Sequence, residues 1–158
     1  SADKSFGNTA DSVADPADAT KTITVYKNDY NEIEAFAEAG ITKLLPFPIA
    51  VYGAFVYNNG ADEDNKGYIA GINIGKCEEP LSFEVRYNYR WVQKDALIGA
   101  FTSSDFAGGQ TDAKGHEVGA ALQAMKNVKL GINFLYNLID LKKEVAYKRL
   151  MADLTVKF

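Results

Sequence analysis

Polar and apolar residues alternate with a period of two through most of this chain. At its end Leu150, Ala152, Leu154, Val156 and Phe158 are apolar, while Arg149, Asp153, Thr155 and Lys157 lie between them. Such alternation predicts a strand with one apolar and one polar face. A final strand that closes on an aromatic suits a membrane β-barrel, whose strands meet lipid on one side and a wet lumen on the other. The longest clean run places Leu81, Phe83, Val85, Tyr87, Tyr89 and Trp91 opposite Ser82, Glu84, Arg86, Asn88 and Arg90. Shorter patterns predict strands over Thr22–Lys27, Asn31–Leu44, Tyr68–Ile74, Val118–Ala124, Val128–Leu138 and Val145–Phe158. Over Asn31–Leu44 helix competes, because Glu and Ala are good helix formers, but the strict alternation favours strand. Ile49–Tyr57 is almost wholly apolar and gives no clear face. The expectation is an all-β, antiparallel transmembrane β-barrel of about eight strands over residues 22–158. Ser1–Lys21, small and polar, reads as a leader or surface loop.

The connections sharpen this picture. Leu45–Pro48, Lys76–Pro80 and Lys126–Asn127 are short, while Asn58–Lys66 and Ala96–His116 are longer and polar. Membrane barrels have short turns at one rim and long loops at the other. With Phe158 at the short-turn rim, all three short turns fall beside it. The brief links Asn28–Tyr30 and Asp140–Glu144 fall at the opposite rim and weaken the rule. Tyr26, Tyr30, Tyr57, Tyr68, Tyr89, Trp91, Tyr136 and Tyr147 are expected near the loop rim, and Phe47, Phe83 and Phe158 near the turn rim. Two such aromatic girdles mark the two membrane interfaces.

Composition agrees. Thirteen glycines, 9 tyrosines and 9 phenylalanines against 4 prolines suit a β-rich chain with tight turns, and a net charge of −4 argues against a nucleic-acid binder. No stretch approaches the roughly 20 apolar residues of a membrane helix. The single cysteine, Cys77, sits beside Glu78 and Glu79, neighbours that oppose a reactive thiolate.

Candidate chemistry is sparse. The polar face collects Glu32, Glu34, Glu38, Glu84, Arg86, Arg90, Lys129, Arg149, Asp153 and Lys157. Of these, Glu84, Arg86, Arg90, Lys129, Arg149 and Asp153 are the pore-lining candidates; the alternative is a filled interior in which the same charges pair. Mixed signs argue against strong selectivity. Asp105, Phe106, Gly108 and Gly109 could form a loop that bends inward and constricts a pore; the alternative is a solvated loop. Asp62, Glu63 and Asp64 do not complete a calcium loop, since Lys66 stands where an oxygen ligand is needed. His116 with Ser103, Ser104 and Asp105 supplies residue types for a hydrolase but no triad geometry. No catalytic group, metal site or cofactor is expected. A soluble ligand-binding barrel with inverted faces, and a small closed barrel acting as a membrane anchor, remain open on alternation alone.

The residues also resemble a family. KDALIGAFTSSDFAGGQTDAKGHEVG (Lys94–Gly119), AMKNVKLGINFLYN (Ala124–Asn137) and ADLTVKF (Ala152–Phe158) are similar to the C-terminal region of the bacterial "putative porin" family. The resemblance runs from about Leu81 to the end. It implies a bacterial outer-membrane channel for passive diffusion of small hydrophilic solutes and ions, not an enzyme. It also implies that this chain corresponds to the C-terminal half of a larger barrel. The implied partners are the lipid bilayer, the outer-membrane assembly machinery engaged through the strand ending at Phe158, and an N-terminal half or further copies.

Overall fold

The structure is a computed structural model that describes residues 5–42 and 46–157. Phe158 and the first residue of the expected Leu45–Pro48 turn lie outside the described residues. The described residues form nine strands in two sheets. β1 (Ala10–Asp15) and β2 (Asp18–Tyr26) make a hairpin of their own, turning at Pro16 and Ala17. The other seven form one antiparallel meander in sequence order: β3 (Glu32–Ile41), β4 (Ile49–Asn58), β5 (Lys66–Gly75), β6 (Phe83–Val92), β7 (Ala113–Met125), β8 (Val128–Ile139) and β9 (Val145–Val156).

The all-β antiparallel class stands, and the strand bookkeeping changes. Thr22–Lys27 lies within the hairpin and is not a stave of the main sheet, and residues 10–21 supply β1 and the start of β2. The strand expected at Val118 begins at Ala113, so the long connection is 93–112. The link 59–65 is no longer than 76–82, so the contrast in length rests on 93–112 against 126–127. Most importantly, the sheet is open: among the described residues β3 and β9 have no partner on their outer edges. A closed eight-stranded barrel is not what this chain forms alone.

Register sorts every side chain onto one of two faces. Ladder partners share a face, and the ladder runs unbroken from Ile33–Tyr57 in β3–β4 to Asn137–Tyr147 in β8–β9, with one shift near Met125. One face carries Ile33, Val51, Phe55, Ile72, Val85, Val118, Ile132, Phe134, Leu150 and Leu154, with no Asp or Glu at any strand position on it. Most of these large apolar side chains are exposed. Aromatics fringe this band. Tyr68 packs in tilted geometry at 5.6 Å from Trp91 and 6.1 Å from Tyr89 towards the long-loop rim, and Phe47 meets Phe83 at 6.2 Å at the other. Three of the expected aromatics fall elsewhere. Tyr26 belongs to the hairpin and packs edge-on with Tyr30 in the link to β3, and Tyr147 points to the polar face with its partner Asn137.

Gly115 marks a tight point in the ladder, since a Cβ there would collide with the Tyr136 carbonyl and with Asn137. Gly53, on the apolar face, has ordinary space around it. Gly115→Ala is therefore expected to lower stability by about 1–3 kcal/mol, and Gly53→Ala to change it by less than about 0.5 kcal/mol. Denaturant midpoints of the two variants check the difference.

Candidate functional site

The second face is polar in one half and covered in the other. Towards the short-turn rim it carries Glu84, Arg86, Gly119, Gly131, Asn133, Lys129 and Asp153 around a cavity of about 270 Å³. Ladder pairing explains the grouping. Arg86 faces Gly119, which faces Asn133, and Gly131 faces Asp153. The glycines leave room for long side chains. A Cβ at Gly119 would strike Arg86 and Asn133. Arg86 Nη2 donates to Asn133 Oδ1 at 2.7 Å, and Arg86 approaches Glu84 at 4.0 Å. Among the described residues, Lys129 and Asp153 make no ion pair. The result is a partly solvated surface of mixed sign.

Towards the other rim, residues 93–112 fold down over this same face. Val56, Val92, Ala113 and Ile139 break the polar pattern at the strand ends, and they receive Phe106, Ala107 and Ala96 in a small apolar core. Phe106 is buried, and the Arg90 guanidinium lies 4.7 Å from its ring centroid. Ala107 N donates to Asn137 Oδ1 at 3.1 Å. Gly108 and Gly109 turn with φ of +69° and +81°, a region that favours glycine. The loop reaches both edge strands: Ile98 N donates to Glu32 on β3 at 2.9 Å, and Asp105 pairs with Arg149 on β9 at 3.1 Å. Under it lies a cavity of about 300 Å³ between Glu32, Glu34, Arg90, Phe101 and Phe106.

The six lining candidates therefore divide. Glu84, Arg86, Lys129 and Asp153 come together around the open half, whereas Arg90 and Arg149 hold the loop. Asp105 and Phe106 are the loop's own anchors, and Gly108 and Gly109 form its bend. His116 faces the opposite way, with Nδ1 2.8 Å from the Tyr87 hydroxyl on the apolar face, so it does not meet Asp105.

A buried polar hub fixes the loop, and alternation gives no sign of it. Asp95 is 2% exposed. Its carboxylate accepts from Thr9 N, Asn28 Nδ2 and Tyr30 Oη, each at 2.9 Å. Asn8 Nδ2 donates to the carbonyls of Lys94 and Leu97, and its Oδ1 accepts from Gly99 N at 2.7 Å. Asn58 Nδ2 donates to the carbonyls of Asp95 and Asp29. Burial, and then the bond to Asp95, pushes the Tyr30 hydroxyl well above its ordinary value and keeps it a donor. The N-terminal segment, the link before β3 and the long loop thus form one unit. The one trace in the sequence is the cluster of Asn residues at strand ends, a residue type suited to binding backbone groups.

A family model described as "Putative porin" matches residues 10–158, and the chain belongs to that family. Neither the curated proteins nor the solved structures contain a match to it.

Asp95→Ala leaves three donors without their acceptor, at about 1–3 kcal/mol for each that stays buried. The expected result is loss of hydrogen-exchange protection around residues 5–9 and 94–99, with β7 and β8 unchanged. Asp112, at the end of the loop, behaves differently. Burial raises its carboxyl above the usual range, against the opposing charge of Lys94 at 3.9 Å. The folded state then holds this proton more tightly than the unfolded chain, so stability falls as pH rises from the unfolded value of about 3.9. Asp112→Asn is expected to remove that dependence. Unfolding midpoints in acid and at neutral pH measure it.

Proposed function

We propose that this chain forms part of the wall of a bacterial outer-membrane β-barrel through which small hydrophilic solutes and ions diffuse. The observation that carries the reading is the division of the seven-stranded sheet. One face is an unbroken apolar band without acidic residues, and the opposite face is charged, glycine-rich and half open. Lipid cannot satisfy backbone polar groups, so a spanning sheet must pair every strand. The free edges of β3 and β9 therefore call for further strands, from other copies or from another part of a polypeptide. Family membership supports the same reading.

In this arrangement the apolar band solvates the barrel in lipid, and Glu84, Arg86, Lys129 and Asp153 hold water along the path. Their mixed signs give weak selectivity. The segment 93–112 narrows the lumen at the loop-bearing end, pinned by Phe106 on the sheet and by Asp105 on Arg149. The mechanism is passive and involves no covalent step or cofactor. The end of β9, with Leu150, Leu154 and Val156 outward, is the strand that the outer-membrane assembly machinery would engage.

The test is conductance in a planar lipid bilayer, with intact mass checked on the same sample. Discrete steps are expected. A silent bilayer despite confirmed insertion overturns the channel and leaves a membrane anchor. Phe106→Ala should cost about 3–5 kcal/mol where its ring is buried and release the loop, and Asp105→Ala should loosen its far end. Both are expected to enlarge the step, Phe106→Ala the more.

A further inference from the structure

The apolar face has a second pattern, confined to its loop-bearing edge. Three lysines stand there on alternate strands: Lys66 on β5, Lys114 on β7 and Lys148 on β9. Each has only apolar or aromatic residues as its same-face ladder partners: Tyr57 for Lys66, Trp91 and Leu138 for Lys114, and Tyr136 for Lys148. Strands two apart are separated by about 10 Å, so the lysines form a row along the rim. Tyr89 and Trp91 on β6 and Tyr136 on β8 fill the intervals at the same level, and Lys148 Nζ lies 5.5 Å over the Tyr136 ring.

Among the described residues these three are the only Lys, Arg, Asp or Glu at strand positions on that face. The whole chain carries a net charge of −4, so the basic row reflects placement and not composition. Lys114 shares its charge with Glu144 at 2.6 Å. Lys66 and Lys148 are exposed and make no ion pair among the described residues.

We propose that this lysine row binds the phosphates of anionic lipid headgroups at the loop-bearing rim. The inference rests on the apolar face being the one that meets lipid. Ammonium groups placed where an apolar band gives way to Tyr and Trp sit at the depth where headgroup phosphates begin. A compact ammonium on a flexible stem suits a mobile phosphate oxygen. The row reads as a strip for several headgroups side by side, and not as a pocket for one.

The full chain is folded into vesicles of phosphatidylcholine alone, or of equal parts phosphatidylcholine and phosphatidylglycerol, and the bound fraction is measured by flotation with Trp91 emission as the check of insertion. The expected result is tighter association with the anionic vesicles, weakened by salt. Lys66→Gln and Lys148→Gln should each reduce the anionic-to-neutral ratio about fivefold, and Lys148→Arg should retain it. Lys76→Gln and Lys126→Gln, at the opposite rim, should leave it unchanged. Equal association with both vesicles overturns the proposal, as does an anionic preference that the rim variants do not reduce. Failure to associate with either vesicle overturns the membrane reading itself, and this inference with it.

Discussion

Backbone hydrogen bonding through the seven-stranded ladder sets the terms for everything else in this molecule. Because side chains alternate strictly along a strand, a slip of one residue would exchange the two faces. The unbroken pairing from β3 to β9 keeps Val85, Val118, Phe134 and Leu150 on one side and Arg86, Gly119, Asn133 and Met151 on the other. The apolar band, the charged half-cavity and the platform for the loop are all consequences of that register. Among the described residues the same ladder leaves the outer edges of β3 and β9 without a strand partner.

The loop 93–112 depends on a different balance. Its apolar anchor is small, with Phe106 doing most of the packing against strand-end residues. Its polar anchor is the buried carboxylate of Asp95, supported by three donors drawn from two distant segments. Charge-assisted bonds of this kind are strong when complete and costly when one is missing. That makes the position of the loop an all-or-none property shared with residues 5–9 and 28–31. It also explains the hairpin β1–β2: it is held at the loop rim by the chain on either side of it, outside the main sheet.

Charge is distributed by face and by height. The polar face mixes signs, so neighbouring groups neutralise one another, as Arg86 and Glu84 begin to do at 4.0 Å. The apolar face has no carboxylate at its strand positions and gathers its lysines at one edge. A long side chain at the border of an apolar band can carry its charge out to polar surroundings.

Periodicity by itself determined the all-β class, most strand centres and, outside Ile49–Tyr57, which side chains share a face, because a period of two is local and survives without knowledge of any partner. The runs Leu81–Trp91 and Val128–Leu138 carried that information outright. The motifs from Lys94 to the end carried the family. Other features depended on contacts across the chain. Val56, Val92, Ala113 and Ile139 look like interruptions of the polar pattern until Phe106 is seen resting on them. Asp95 looks like a loop carboxylate until Thr9, Asn28 and Tyr30 converge on it. Thr22–Lys27 has the pattern of a barrel stave, yet it pairs with β1, because a strand's pattern does not specify which neighbour will take its hydrogen bonds. Only the tertiary structure could decide these points, since each turns on residues brought together from far along the chain, and sequence spacing carries no record of that distance.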